Sequence, residues 1–469
     1  MRYVSTRGEA PSLGFADAVL TGLASDGGLY VPEAYPALVR EELRALRGRP
    51  YAETAMRVIA PFVGGEIVDV DLERMIGEAY ATFAHPAVAP LVQVGPNHHM
   101  MELHHGRTLA FKDVAMQLLA RLMDHILTDR SARATIVGAT SGDTGGAAID
   151  AFAGRDRTDV FILFPEGRVS PVQRRQMTTS EGANVHAIAV RGDFDDCQAL
   201  VKAMFGDAPF REEVALSGVN SINWARIVAQ VVYYVTGALT LGAPDRAVSF
   251  CVPTGNFGDV FAGYVAHRMG LDIERLVVAT NDNDLLDRTL ESGTYERRPV
   301  VRTSSPSMDI AVSSNFERLL FDAYERDASE VRGAMASLSQ SGSFAIKDAA
   351  MERMRGLFSA GMCDQGAAAR RIARTLAETG ITVDPHTAVG LDVAERRMTG
   401  ADGEAPMVTL ATAHAAKFPD AVREAIGREP DIPERLAGLM EREERFDALP
   451  NDLRAVQDYV RERSRAVRA

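Results

Sequence analysis

The feature that most constrains the fold is a repeated order of short β-branched runs, glycine-rich turns and helical segments through the middle of the chain. Buried strands are typically rich in valine, isoleucine and phenylalanine, and the glycines that follow them favour tight turns into helices. This repeated order predicts an α/β fold with a largely parallel sheet covered by helices on both faces. The predicted strands are 135–137, 160–164, 185–190, 248–252, 276–279 and 407–411, and the predicted helices include 145–153, 195–205 and 260–269.

The two ends of the chain show a different pattern. Residues 1–90 carry apolar residues at helical intervals with proline and glycine interruptions, and Pro86 and Pro90 mark a boundary. We therefore expect an N-terminal helical addition over 1–90. The region after Arg318 is mainly helical, and 441–469 is predicted to be a charged helical tail that begins near the solvated run MEREER at 440–445.

Composition excludes several classes of protein. With 469 residues, 46% hydrophobic and 25% charged, the chain has an ordinary globular composition. The net charge of −13 repels phosphate backbones and argues against a nucleic-acid partner, although a locally positive site can still bind an anion. The spacings between the three cysteines are typical of neither a metal site nor a redox motif. The N-terminal residues MRYVSTRGEAPSLGF lack the apolar run of a signal peptide, and the most apolar stretch, 228–243, is too short for a membrane span. We therefore expect a soluble cytoplasmic protein.

Three turns that follow predicted strands are candidate ligand sites, because ligands bind outside the carboxyl ends of parallel strands. In the turn PTGNFGD at 253–259, backbone amides and a helix dipole converge on one point, which favours a phosphate. The turn GATSGDTGG at 138–146 adds two hydroxyl groups and could hold a second anion. A structural role without a ligand is equally compatible with either turn. The third turn is TAHAAKF at 412–418.

Lys112, in the segment HGRTLAFKD at 105–113, is a candidate nucleophile. Lysine is scarce in this chain, and apolar neighbours would desolvate this one and lower the pKa of its amine. A neutral amine can form a Schiff base, and pyridoxal phosphate needs both such a lysine and a phosphate cradle. A lysine that extends to solvent from a helix end is the alternative.

Taken together, these motifs resemble the threonine synthases of the long fungal and bacterial type, within the fold type II pyridoxal-phosphate enzymes. The resemblance extends over essentially the whole chain, and the joint order of its motifs is far more specific than any single one. Besides the four segments above, it rests on STRG at 5–8, DGGLYVP at 26–32, NSINWARI at 220–227, SSNFERLLF at 313–321, DPHTAVG at 384–390 and LPNDLRAV at 449–456.

The resemblance implies the organisation of the chain and the roles of several residues. It implies a catalytic body over 91–440 that contains a smaller mobile subdomain at about 113–205. It implies that Lys112 forms the Schiff base with pyridoxal 5'-phosphate and that the hydroxyl of Thr412 meets the pyridine nitrogen. The residues implied to hold the cofactor phosphate are Gly255, Asn256, Phe257, Gly258 and Asp259, and those implied to receive the substrate carboxylate are Ser141, Gly142, Asp143 and Thr144.

The implied reaction converts O-phospho-L-homoserine and water into L-threonine and phosphate, with Lys112 moving protons at Cα and Cβ of the substrate. Arg174, Lys417 and Arg226 are the candidate cations for the leaving phosphate, because each lies in or near one of the motifs. Two residues depart from the usual pattern: Arg107 and Ala415 stand where the family usually has proline. The resemblance leaves open a monomer or a homodimer, and no metal is expected.

Two alternatives remain open at the level of sequence. One is another fold type II enzyme, such as a serine/threonine dehydratase, a cysteine synthase or a phospho-lyase, although Asp143 and the N-terminal region favour threonine synthase. The other is a catalytically silent binding protein on the same scaffold, which the intact Lys112 disfavours. The histidines at 98, 99, 104 and 105 are predicted to lie in a solvated loop rather than to bind a metal.

Overall fold

The computed structural model describes residues 1–140, 142–398 and 405–467, so Ser141 lies outside the described residues. Its strands are β1 (Tyr3–Ser5), β2 (Tyr30–Pro32), β3 (Leu91–Gly95), β4 (His98–Glu102), β5 (Ala134–Ala139), β6 (Thr158–Pro165), β7 (Val185–Arg191), β8 (Leu216–Ser217), β9 (Val248–Pro253), β10 (Ile273–Thr280), β11 (Thr294–Glu296), β12 (Ser343–Ala345), β13 (Phe358–Met362), β14 (Met407–Ala411) and β15 (Asp447–Pro450).

The helices cover both faces of the sheets and also form the N-terminal region. They are α1 (Phe15–Thr21), α2 (Arg40–Ala45), α3 (Tyr51–Val63), α4 (Asp69–Tyr80), α5 (Lys112–Asp129), α6 (Asp143–Phe152), α7 (Pro171–Thr178), α8 (Phe194–Gly206), α9 (Ala208–Glu213), α10 (Trp224–Thr240), α11 (Gly258–Arg268), α12 (Leu285–Ser292), α13 (Phe316–Ala323), α14 (Ala328–Ser341), α15 (Asp348–Arg355), α16 (Gln365–Thr379), α17 (Pro385–Met398), α18 (Pro419–Ile426) and α19 (Leu453–Arg463).

Two largely parallel sheets form the body of the molecule. The larger has the strand order β13-β10-β9-β14-β4-β3, in which only β3 runs antiparallel to its neighbour. The smaller has the order β15-β7-β6-β5-β8, and all its pairs are parallel. Strands β6 and β9 are buried along their whole length, as expected for strands covered by helices on both faces. The predicted α/β fold is confirmed.

The N-terminal region packs onto the larger sheet's helices through aromatic side chains. Tyr3 donates a hydrogen bond from its hydroxyl to the carbonyl oxygen of Phe62, and its ring and that of Phe62 contact the fully buried Trp224 of α10. The buried Arg318 of α13 donates to the carbonyl oxygens of Tyr30 and Ile222. These contacts connect the predicted helical addition, which contains α1 to α4, directly to the helices of the larger sheet.

The C-terminal segment differs from the predicted helical tail. Residues 440–445 lie outside any helix, so the interpretation of MEREER as a helix face is wrong. Strand β15 then joins the edge of the smaller sheet beside β7, and α19 buries Val456 and Val460 against that sheet. This four-residue strand begins with an acidic residue and has no local strand pattern. It forms by pairing with β7, which lies more than two hundred residues earlier in the chain.

Two of the four clustered histidines also differ from the prediction of a solvated loop. His98 and His99 belong to β4, where His98 is buried and bonds to the hydroxyl of Thr409 at 2.8 Å. Among the described residues, no helix is both long and apolar enough to span a bilayer.

Candidate active site

Lys112 begins α5 and is held there by the third predicted turn. The N–H of Phe111 donates to the carbonyl oxygen of Thr412 at 2.8 Å, and Ala110 pairs with Ala413 as an isolated bridge. Residues from two distant segments thereby run side by side at the carboxyl end of β14. The lysine and the turn that follows β14 share one site, as the motifs predict.

The amine of Lys112 lies in a buried polar cluster. Its Nζ donates to Oδ2 of Asp143 and to Oγ of Ser307, both at 3.3 Å, and those two oxygens are 3.1 Å apart. Burial lowers the pKa of Lys112, the charges of Lys417 and Arg226 lower it further, and Asp143 opposes them. The direction agrees with the sequence prediction, but charged neighbours as well as apolar ones produce it.

Asp143, the first residue of α6, is shared between two lysines. Its Oδ2 faces Lys112, while its Oδ1 faces Nζ of Lys417 at 3.1 Å and accepts from Nε2 of Gln173 at 2.9 Å. Burial alone would raise the pKa of Asp143, but the charges of Lys417 and Lys112 hold that pKa well below its usual range. A fixed anion therefore sits within reach of the candidate nucleophile.

Lys417 is more deeply buried than Lys112. Its side chain has no exposed surface, and its Nζ donates to the carbonyl oxygen of Thr108 at 2.6 Å and to Oε1 of Gln176 at 2.8 Å. It also forms an ion pair with Oδ1 of Asp143 at 3.1 Å. In this arrangement Lys417 is engaged by three oxygen atoms of the protein, in place of the substrate phosphate that the sequence assigns to it.

A buried His–Asp pair supports Ser307 from behind. The backbone N–H of Ser307 donates to Nε2 of His386 at 3.1 Å, so that nitrogen carries no proton. The other ring nitrogen, Nδ1, is 2.6 Å from Oδ2 of Asp384 and therefore donates to it. These residues fix the turn that carries the hydroxyl group in contact with Lys112.

The turn after β9 forms a second part of the site. Phe257 takes the left-handed conformation, with φ at 64°, and caps α11. A Cβ on Gly255 would stand 2.6 Å from the carbonyl oxygen of Ser307, so only glycine fits beneath the turn that contacts Lys112. Asn315 holds the turn by donating from Nδ2 and from its N–H to the carbonyl oxygen of Asn256, whose side chain is exposed.

Arg226 supplies a buried cation near this turn. It lies in the first turn of α10, and its neighbour Ile227 would be 3.5 Å from a Cβ on Gly258. Within the described chain its Nε has no hydrogen-bond partner, and burial lowers the pKa of the guanidinium to about 10. A buried guanidinium with an unused donor suits a phosphate. With a low-pKa lysine and a nest of amides nearby, the residues fit pyridoxal phosphate.

Asp259 does not present its carboxylate to the turn. The side chain points to the hydroxyl groups of Tyr233 and Tyr234 on α10, and the Tyr234 contact measures 3.0 Å. Burial raises the pKa of Asp259 to about 6, against the opposing effect of the two tyrosine hydrogen bonds. Oδ1 of Asp259 is thus engaged by the tyrosines, while its Oδ2 is buried and has no hydrogen-bond partner within the described residues.

Other predicted residues occupy a variety of positions. Gly142 and Thr144 lie beside Asp143 at the start of α6, and Thr412 is buried after β14. Arg174 of α7 forms a bidentate ion pair with Glu444, with contacts of 2.8 and 2.9 Å. The two departures from the usual motif are accommodated, since Arg107 pairs with Asp150 at 2.8 Å and Ala415 is buried.

Sequence reasoning missed Ser307, Asp384 and His386 as members of the site. The last two lie in the quoted segment DPHTAVG, but nothing in their spacing showed which backbone group they would bind. Ser307 lies in a short helical turn, 306–308, outside all the quoted motifs. Gln173 and Gln176, which face Asp143 and Lys417 from α7, gave no signal either.

Comparison with known proteins agrees with this geometry. The sequence matches the families described as "Threonine synthase N terminus" over 2–80, "Pyridoxal-phosphate dependent enzyme" over 90–413 and "Threonine synthase, C-terminal" over 387–460. It is 52% identical to the threonine synthase of Pseudomonas aeruginosa over 461 residues, which is 98% of each chain.

Solved structures show the same likeness in three dimensions. The pyridoxal-phosphate-bound threonine synthase of Brucella melitensis superposes with a TM-score of 0.97 at 63% identity, covering 99% of this chain and 100% of that one. The yeast threonine synthase superposes with a TM-score of 0.93 at 37% identity, covering 98% of both chains. The chain therefore belongs to the threonine synthase family of pyridoxal-phosphate-dependent enzymes.

Proposed function

We propose that this protein uses pyridoxal 5'-phosphate to convert O-phospho-L-homoserine and water into L-threonine and phosphate, the last step of threonine biosynthesis. The observation that carries the proposal is the buried Lys112 amine, placed between an anchored carboxylate and a glycine turn suited to a phosphate. Full-length similarity to threonine synthases supports the same reaction. We further propose a cytoplasmic monomer or homodimer that acts on a small molecule and has no nucleic-acid partner.

The cofactor would be held at both ends by residues of this chain. Lys112 would bind its aldehyde carbon, the turn 255–259 and Arg226 would hold its phosphate, and Thr412 would face its pyridine nitrogen. When bound, the cofactor withdraws electrons from the substrate and so acidifies the hydrogens at Cα and Cβ. A neutral hydroxyl at Thr412 would hold a ring proton less firmly than a carboxylate would, which tunes this effect.

Lys112 would move the protons of the reaction. After the substrate amine has displaced it, the freed lysine would remove the Cα proton and then one Cβ proton as phosphate leaves from Cγ. It would deliver one proton to Cγ and, after water has added at Cβ, return one to Cα. One amine can serve each step only if it exchanges readily between its neutral and charged forms, which burial favours by lowering its pKa. Asp143 and Ser307 would hold the freed amine in place.

The substrate's two anionic ends would face different parts of the site. We propose that Ser141, Gly142, Asp143 and Thr144 receive the carboxylate, with the backbone and the Thr144 hydroxyl as the donors, because the Asp143 side chain is itself an anion held by lysines. For the leaving phosphate, Arg226 has an unused buried donor. Arg174 and Lys417 remain proposed partners, and each would first have to exchange a carboxylate for the phosphate.

The proposal is tested by phosphate release from four substrates. The wild-type holoenzyme should release phosphate from O-phosphohomoserine and not from phosphoserine, and it should not deaminate serine or threonine. Lys112→Ala should abolish release because the base and the cofactor attachment are both lost. Retained turnover in that variant, or a preference for any of the other three substrates, would reject the assignment.

A further inference from the structure

The role of Lys417 is not explained by substrate binding. Lysine is rarely buried without compensation, and this wholly buried side chain donates two hydrogen bonds and forms an ion pair with Asp143. The segment that carries it is anchored as well, since the N-cap Ser170 of α7 donates to the carbonyl oxygen of Lys417 at 3.1 Å. Lys417 is thus a fixed ammonium within the site.

The carboxylate of Asp143 divides its two oxygens between the two lysines. Oδ1 serves Lys417 and Gln173, while Oδ2 serves Lys112 and Ser307. One carboxylate balances one ammonium, so the cluster is neutral only when one lysine has lost its proton. Lys417 makes three contacts of 2.6, 2.8 and 3.1 Å with oxygen atoms, whereas Lys112 makes two longer contacts, both at 3.3 Å. Deprotonation therefore falls on Lys112.

We propose that Lys417 is a positioning residue whose fixed charge occupies Asp143 and so directs proton loss to Lys112. The inference deepens the proposed function, on which it rests, by explaining why the reacting lysine can be neutral beside a carboxylate. Without Lys417, Asp143 would pair with Lys112 alone, and Lys112 would retain its proton. Lys417 acts through Asp143 and need not contact the substrate.

Charged and titratable groups lie around Lys112 on several elements. Asp143 lies on α6, Arg226 on α10 and Asp259 on α11, Lys417 follows β14, and the pair of Asp384 and His386 lies at the start of α17 behind Ser307. Of these, Asp143 favours the ammonium form of Lys112, and Lys417 and Arg226 disfavour it. Removing Lys417 should therefore raise the pKa of Lys112, and removing Lys417 together with Asp143 should bring it down again.

The test is the pH dependence of Lys112 reactivity in the full-length chain from which cofactor has been removed. The probe is pyridoxal phosphate, its capture followed by absorbance and located at Lys112 by borohydride reduction and mass spectrometry. In Lys417→Met the labelling profile should move to higher pH by roughly one unit. The reason is that the carboxylate of Asp143 then acts on Lys112 alone, and a nearby opposite charge usually shifts a pKa by about this much. In the double variant Asp143→Asn/Lys417→Met it should return to or below the wild-type position.

Controls separate this role from a merely structural one. Lys417→Arg keeps the charge and should keep the wild-type pH position even where the longer planar group lowers kcat. Lys347→Met removes an exposed lysine that pairs with Glu330 and should change nothing. If Lys417→Met does not fold, the double variant and Lys417→Arg still decide the matter.

Three results would overturn the proposal: a Lys417→Met profile that coincides with wild type, a double variant whose profile is not lower than that of Lys417→Met, or, where Lys417→Met does not fold, a double variant whose profile lies above that of wild type. Phosphate release by the wild-type holoenzyme is measured separately. An unexpected substrate preference there would reject the proposed reaction without affecting the labelling result. Conversely, an unshifted labelling profile would reject the role of Lys417 and leave the reaction intact.

Discussion

The turns after β5 and β9 share a strand–turn–helix arrangement, but the pKa values of their aspartates are shifted in opposite directions. Each joins a buried strand to a helix and places an aspartate in the first turn of that helix, Asp143 in α6 and Asp259 in α11. Two lysines hold the pKa of Asp143 well below its usual range, whereas burial raises the pKa of Asp259 to about 6 despite the hydrogen bonds from two tyrosine hydroxyls. A helix N-terminus favours an anion in both places, so the side chains brought from elsewhere decide the difference.

The largest expected effect comes from Asp143→Asn. This substitution leaves the buried Lys112 and Lys417 without their shared anion, and breaking a buried charge cluster costs about 3–5 kcal/mol of stability. It also removes the group that holds the freed Lys112, so kcat should fall by roughly 100-fold or more, the scale of a lost acid–base function. Steady-state phosphate release and urea unfolding of the holoenzyme measure the two effects.

The pH profile of the same variant gives a sharper result. Without Asp143, the charges of Lys417 and Arg226 lower the pKa of Lys112 further, so the acid limb of kcat should move to lower pH. This shift is opposite in sign to the one expected for Lys417→Met. Asp259→Asn is the matched control, and an equal loss of kcat in both aspartate variants would show that the two turns do not differ in function.

A second, smaller effect should appear in the stability of Asp259→Asn. The pKa of Asp259 is about 6 in the folded protein and 3.8 in the unfolded chain, so the unfolded state releases the proton first as pH rises. The stability that the neutral carboxyl contributes is present below about pH 4 and is lost by about pH 6. The span of two pKa units corresponds to about 3 kcal/mol.

Asparagine cannot ionise, so the variant should lack this loss between pH 4 and 6. The measurement is the difference between wild-type and variant unfolding free energies across that range. The buried Asp113, whose pKa burial also raises to about 6, is present in both proteins and cancels in the difference. An unchanged pH slope would mean that Asp259 is ionised within the fold, like Asp143, and the comparison of the two turns would fail.

The sequence predicted what is local in these two turns. Valine- and isoleucine-rich runs followed by glycines located β5, β9 and the helices after them to within a few residues, because strand burial and turn conformation depend on neighbouring residues. Strand β4 was not predicted because it begins with two histidines, and β15 was not predicted because its partner strand, β7, is distant in sequence.

The site was predicted less completely than the fold. Lys112, Asp143 and Lys417 were all named, since each lies in a recognisable motif, but their sharing of one carboxylate depends on three segments spread over three hundred residues. The orientation of Asp259 away from its turn depends on Tyr233 and Tyr234 of α10, which no motif contains. Such contacts follow from packing and have no local pattern.

The smallest expected effect concerns helix α7, which packs on the turn after β5. Helix α7 rests on the turn after β5 through Gln173, and its Arg174 reaches the C-terminal segment at Glu444, which also accepts from Thr178 at 2.9 Å. Because Arg174 is 39% exposed, Glu444→Gln should reduce the free energy of unfolding by no more than about 1 kcal/mol. The loss should shrink further in 1 M salt, which screens partly exposed charges.

The kinetic outcome of Glu444→Gln then decides how Arg174 is used. If the ion pair only anchors α7, kcat and KM for O-phosphohomoserine should both stay within about twofold of wild type, as expected for a partly exposed pair outside the chemistry. If Arg174 instead exchanges Glu444 for the substrate phosphate, freeing it should lower KM and leave kcat unchanged. A large loss of kcat would fit neither role, and would mean that the turn after β5 depends on the C-terminal segment for its catalytic geometry.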